Sequence, residues 1–137
     1  MTEPDPSPIF RLPVRVYYEN TDAGGVVYHA DYVKFLERGR TEWLRDLGYG
    51  QLELARDPGI VFAVRRMEVE YLAPARLDDA LVVETAVEKT GRASLYFHQR
   101  ISRGTDEILV EARVQVACID AAKFRPTAIP RHMREML

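Results

Sequence analysis

The sequence predicts an α+β fold in which five antiparallel strands pack on one long helix. Three observations lead there. Several strand-like runs alternate apolar and polar residues, a single stretch from Asp31 to Leu47 repeats at helical spacing, and the links between the last four runs are short.

The elements can be justified in chain order. Residues 1–8 carry three prolines and no apolar period, so they are expected to form a loose tail ahead of one domain spanning 9–137. In LPVRVYYEN, the residues Leu12, Val14, Val16 and Tyr18 alternate against Arg15, Tyr17 and Glu19, the pattern of a half-buried strand with Tyr18 on its apolar side. TDAGGVVYHA follows as a loop. From Asp31 to Leu47, Tyr32, Phe35, Leu36, Gly39, Trp43, Leu44 and Leu47 share one helical face, with Asp31 placed to cap the start and Gly48 to stop the end. Gly39 sits where that face should carry a side chain. Its absence lets the helix backbone approach a sheet closely, against a propensity cost of about 1 kcal/mol.

QLELARDPG reads as a short helix or turn ended by Asp57-Pro58-Gly59. Four strands are then expected at Ile60–Leu72, Leu81–Lys89, Ser94–Ser102 and Ile108–Ile119. Their links, APARLDD, TGR and RGTD, suggest an antiparallel meander in chain order. RHMREML closes the chain as a last helical turn. One helix covers only one face of such a sheet, and long strand edges stay open, so a homo-oligomer is expected.

Composition narrows the function. With 137 residues, 47% hydrophobic and 29% charged, the chain can bury a core without disulfides or metals. A formal charge of −2 without basic runs argues against nucleic acid. Cys118 is the lone cysteine and lies in the apolar run VACI, as a packed thiol would. The acidic, proline-rich start has no signal-peptide character and no apolar run reaches membrane-spanning length, so a cytoplasmic location without membrane insertion is expected. His29, His98 and His132 are too scattered for a metal site, and neither a G-x-S-x-G elbow nor a P-loop is present.

The loop TDAGGVVYH remains. Asp22 leaves the sheet just before the helix N-terminus, where backbone N–H groups are unpaired and the helix dipole is positive. Such amides can polarise a carbonyl, and a nearby carboxylate can act as nucleophile or as general base for water. A thioester suits this pair, because it releases a thiolate of modest basicity. On the residues alone two readings stay open: Asp22 as turn former or as catalyst, Gly24 and Gly25 as turn signal or as close approach to a ligand, and Tyr18 and His29 as packed or functional groups.

VRVYYENTDAGGVVYHADYVKFLERGRTEWLR, supported by VRRMEVEYLAPARLDD and SLYFHQRI, resembles the hotdog-fold acyl-CoA thioesterases of the 4-hydroxybenzoyl-CoA thioesterase class, and most closely the branch associated with the Tol–Pal envelope system. The match runs from about Phe10 to Pro130. The resemblance implies a five-stranded antiparallel sheet wrapped around the long helix, a dimer with two composite sites, and often a dimer of dimers. It implies Asp22 as the catalytic carboxylate, the His29 amide as carbonyl polariser, and Tyr18 and the His29 ring as supporting groups. Gly24, Gly25, Val26 and Val27 would line the substrate. Asn20 departs from the family, which more often has Asp there. Coenzyme A would belong to the substrate, with no separate cofactor, and its nucleotide would meet cations such as Arg65 and Arg92, or Arg66, Lys89 and Arg103. An acyl carrier protein is a further partner by resemblance. The rival readings are a hotdog dehydratase or hydratase, and a non-catalytic acyl-CoA-binding module.

Overall fold

The computed structural model describes residues 8–137; the expected tail over 1–8 lies outside the described residues except at Pro8. The five strands are β1 (Phe10–Arg15), β2 (Ile60–Tyr71), β3 (Ala80–Thr90), β4 (Ser94–Arg103) and β5 (Glu107–Asp120). The helices are α1 (His29–Asp46), α2 (Gln51–Arg56) and α3 (Arg131–Arg134). All pairings are antiparallel, in the order β1-β3-β4-β5-β2.

The inward residues of the sheet are those the alternation marks. Leu81, Val83, Thr85 and Val87 of β3 are buried, as are Leu95, Phe97, Gln99 and Ile101 of β4 and Val110, Ala112, Val114 and Val116 of β5. Against them α1 buries Tyr32, Phe35, Leu36, Trp43 and Leu44. Gly39 is the point of closest approach, since a Cβ built there would stand 2.7 Å from Val83 Cγ1 and 2.9 Å from Thr85 Oγ1. The helix ends as expected at Gly48, whose N–H donates to the Arg45 carbonyl at 2.9 Å while the Tyr49 N–H reaches Leu44 at 3.1 Å.

The outward face is polar along its strands. It carries ion pairs across neighbouring strands, including Arg11–Glu84 at 3.2 Å, Arg100–Glu111 at 3.2 Å and Arg113–Glu88 at 3.4 Å. Cys118 is fully buried, and burial pushes its thiol up to about 11, so it is a packing residue with little thiolate at neutral pH.

Three expectations are corrected. First, β2 does not continue into a meander with β3. It pairs with β5 at the far edge, and the link after it crosses the end of the sheet. That path is pinned by Leu72 N–H to Leu109 O at 2.8 Å, Ala75 N–H to the Tyr32 hydroxyl at 2.8 Å, and Arg103 Nη1 to Asp79 Oδ2 at 2.6 Å. Second, β1 ends at Arg15, and Tyr18–Asn20 form a 3-10 turn, so Tyr18 leaves the apolar side and is 82% exposed. Third, α1 begins at His29 with Tyr28 at its N-cap, and Asp31 is inside the helix with its side chain used elsewhere.

Candidate active site

The loop between the 3-10 turn and α1 is a closed, fastened structure. Thr21 and Val27 form an antiparallel bridge, Asp22 N–H donates to Val26 O at 2.9 Å, and Gly25 N–H donates to Asp22 O at 3.0 Å. Gly25 takes φ +81°, which a side chain would resist. The roots are tied by Val27 N–H to Ala75 O at 2.9 Å and Tyr28 N–H to Asn20 O at 2.8 Å.

Within this loop Asp22 acts as a turn former with one carboxylate oxygen. Oδ1 accepts the Gly24 N–H at 2.8 Å, the bond of an Asx turn. Oδ2 makes no hydrogen bond among the described residues, and the side chain is exposed on the single chain. One oxygen shapes the turn and the other stays free for a ligand or a water.

The start of α1 supplies the complementary groups. Asp31 N–H closes on Tyr28 O at 2.8 Å, whereas the His29 and Ala30 N–H groups are without a protein acceptor among the described residues. These two amides carry the positive end of an eighteen-residue helix. Tyr71, at the end of β2, fixes their position by donating its hydroxyl to the His29 carbonyl at 3.1 Å. The His29 ring lies between Tyr28, with centroids 4.5 Å apart, and Tyr71, edge-on at 6.5 Å.

Beneath the loop lies a buried polar pair that the periodicity does not reveal. Asn20 Nδ2 donates to Asp31 Oδ2 at 2.8 Å, with only 6% and 7% of the two residues exposed. Asn20 Oδ1 also accepts the Tyr17 N–H at 2.8 Å. Asn20 therefore joins the strand end to the first turn of α1 and matches the Asp31 carboxylate with a donor. Asn20→Asp would set two carboxylates against each other, and both cannot ionise at that distance. We expect a loss of about 2 kcal/mol at pH 7, smaller at pH 5 as a shared proton is taken up, and largely restored by adding Asp31→Asn. Urea midpoints of the wild type and the two variants at the two pH values measure this.

The remaining sequence-derived site residues are dispersed. Gly24 and Gly25 are exposed at the loop tip, Val26 is half-buried, and the Val27 side chain belongs to the core. Tyr18 is on the surface, and its hydroxyl makes no bond to the loop. Arg65 sits at a bulge in β2, and Arg92 in the β3–β4 turn; both are exposed and without a carboxylate partner among the described residues. Arg66 pairs with Glu68 at 3.0 Å, Lys89 lies over the Tyr96 ring, and Arg103 is held by Asp79 and Glu107. No helix of the described residues is long and apolar enough to cross a membrane, and these residues hold no group of metal-ligating side chains.

A family model described as the thioesterase-like superfamily matches residues 16–137. The chain belongs to the thioesterase-like superfamily. The acyl-CoA thioester hydrolase YbgC of Escherichia coli O6:H1 is 52% identical over 123 residues, covering 90% of this chain and 91% of its own. The acyl-CoA thioesterase YbgC of Haemophilus influenzae is 47% identical over 125 residues, covering 91% of each chain. Among solved structures, that of a probable thioesterase from Bartonella henselae superposes with a TM-score of 0.86 at 37% identity, covering 90% of this chain and 100% of that one. The α+β hotdog architecture of the superfamily, one long helix held in a five-stranded antiparallel sheet, is the fold of this chain.

Proposed function

We propose that the protein is an acyl-CoA thioesterase, releasing a free acid and coenzyme A. The single observation that carries this reading is the pairing, at one end of one helix, of a carboxylate with a free oxygen and two unbonded N–H groups. The thioester carbonyl oxygen accepts from the His29 and Ala30 amides, which stabilise the oxyanion as the carbonyl carbon becomes tetrahedral. Asp22 Oδ2 attacks that carbon directly or takes a proton from the attacking water, and the thiolate departs. The names of the two YbgC relatives support acyl-CoA as the substrate.

The site is completed by a second copy of the chain. β2 is a twelve-residue strand at the edge of the sheet, and Val64 and Tyr71 on it are 50% and 48% exposed. Antiparallel pairing of two such edges about a two-fold axis satisfies their open backbone groups. It also sets the Tyr71 end of one β2, and the α1 start fixed to it, beside the first half of the other. Arg65 and Arg92 offer guanidinium groups for the coenzyme A phosphates. Assembly into a dimer of dimers, a cytoplasmic site of action, and acyl carrier protein as a second acyl donor are the accompanying proposals from the resemblance.

A panel of acyl-CoA esters with detection of free thiol tests the reading. The expected result is stoichiometric release of coenzyme A and free acid. Tight binding without turnover would mark a sensor, and loss or gain of a double bond without thiol release would mark a dehydratase or hydratase.

A further inference from the structure

A cavity of about 280 Å³ lies between the second half of α1 and the inward face of the sheet, beside the β2 edge. Trp43, Leu44, Phe62, Leu95, Phe97 and Val116 give it an apolar side, and Glu37, Thr41 and Gln51 a polar one. Into its wall α1 also sends Arg40. Its Nη1 donates to Gln99 Oε1 at 3.0 Å, and the guanidinium has no ion pair among the described residues. Glu37, exposed at the rim, does not come within salt-bridge distance.

This arrangement is specific in two ways. Gln99 is fully buried and its Nε2 is occupied by Leu36 O and Thr85 Oγ1, each at 2.9 Å, so its Oε1 holds Arg40 in a fixed orientation. An apolar wall alone would be served by Leu or Met at position 40. Instead, burial pulls the guanidinium below its ordinary range, partly offset by the Glu37 charge, which is the mark of a cation short of a counter-charge. Its remaining N–H groups form the planar fork that suits an oxygen acceptor.

We propose that Arg40 determines acyl specificity by favouring acyl groups whose far end carries an oxygen, a carboxylate ahead of a hydroxyl. The inference rests on the thioesterase reading of the Asp22 site and on β2-to-β2 pairing. That pairing brings the α1 start of a second copy next to Phe62 and Val64, so the acyl group of a thioester bound there enters this cavity.

Three thioesters of matched length, adipoyl-, 6-hydroxyhexanoyl- and heptanoyl-CoA, separate the ends. The full chain is expected to favour the carboxylate-ended ester over the methyl-ended one by about tenfold or more in kcat/KM, with the hydroxyl-ended ester between them. Arg40→Met is expected to collapse that ratio towards one, through KM more than kcat, and Arg40→Lys to retain part of it. A wild-type preference for heptanoyl-CoA, or an unchanged ratio in Arg40→Met, overturns the proposal. Hydrolysis of none of the three, nor of acetyl-CoA, overturns instead the reading on which it rests. If Arg40→Met does not fold, Phe62→Trp narrows the cavity without touching the Arg40–Gln99 bond. Hydrolysis of the six- and seven-carbon esters should then fall at least fivefold more than that of acetyl-CoA, and an equal fall across lengths removes the cavity from acyl binding.

Discussion

Asp22→Asn is expected to lower kcat on acyl-CoA by about 10²–10⁴-fold, the range in which a positioned base or carboxylate contributes. Stability should hardly change. The turn bond is made by Oδ1 to the Gly24 N–H, and an amide oxygen accepts that bond as a carboxylate does. The side chain is exposed, so removing its charge strands no buried partner. The substitution therefore separates the two roles of Asp22, keeping the turn and removing the chemistry. A melting temperature within about 2 °C of wild type, together with lost turnover, assigns the free oxygen to catalysis. Retained turnover would leave Asp22 as a turn former only. Single-turnover hydrolysis in ¹⁸O-water then distinguishes the routes. Attack by Asp22 forms a mixed anhydride whose hydrolysis can leave label in the protein carboxylate, whereas general-base activation of water sends all of it to the product acid.

Gly39→Ala should destabilise the protein by about 2 kcal/mol, even though alanine gains about 1 kcal/mol in helix propensity. The added Cβ would stand 2.7 Å from Val83 Cγ1, 2.9 Å from Thr85 Oγ1 and 3.1 Å from Gln99 Nε2. None of the three can move into open space, because all are buried under the helix. Displacing Gln99 also breaks its bonds to Leu36, Thr85 and Arg40, and an unsatisfied buried amide costs about 1–3 kcal/mol. A fall in Tm of about 5–10 °C is the expected reading. A neutral or stabilising result would mean that the helix rises off the sheet more easily than the packing indicates. Because α1 carries the His29 and Ala30 amides at its other end, loss of kcat should accompany the loss of stability.

Much of this was legible in the residues. The boundaries of β3, β4 and β5 follow from two-residue alternation bounded by TGR and RGTD, because neighbouring side chains on a strand must choose opposite faces. Gly39 declared the close approach of helix and sheet by being the wrong residue on an apolar face. The loop TDAGGVVYH between the strand end and the helix was equally plain, since local turn chemistry specifies it. Gln99 carried a signal that could have been read further: a polar residue in the inward series Leu95, Phe97, Gln99 and Ile101 has to be satisfied by something, and Arg40 is part of that something.

What the chain could not express locally is where its distant parts meet. The alternation of Met67, Val69 and Tyr71 says that β2 is a strand, but not that it lies on β5 rather than on β3. That choice depends on the pinning of its crossing link to Tyr32, Leu109 and Arg103. Asp31 looks like a cap in sequence and becomes the buried partner of Asn20 only once the strand end and the first helical turn are packed together. The cavity beside Arg40 exists only between helix and sheet. Periodicity and turn residues thus determined which elements form and which faces they bury, because both act over a few residues. Strand order and the fate of the buried polar groups were decided by tertiary structure, because they depend on contacts summed across the whole core.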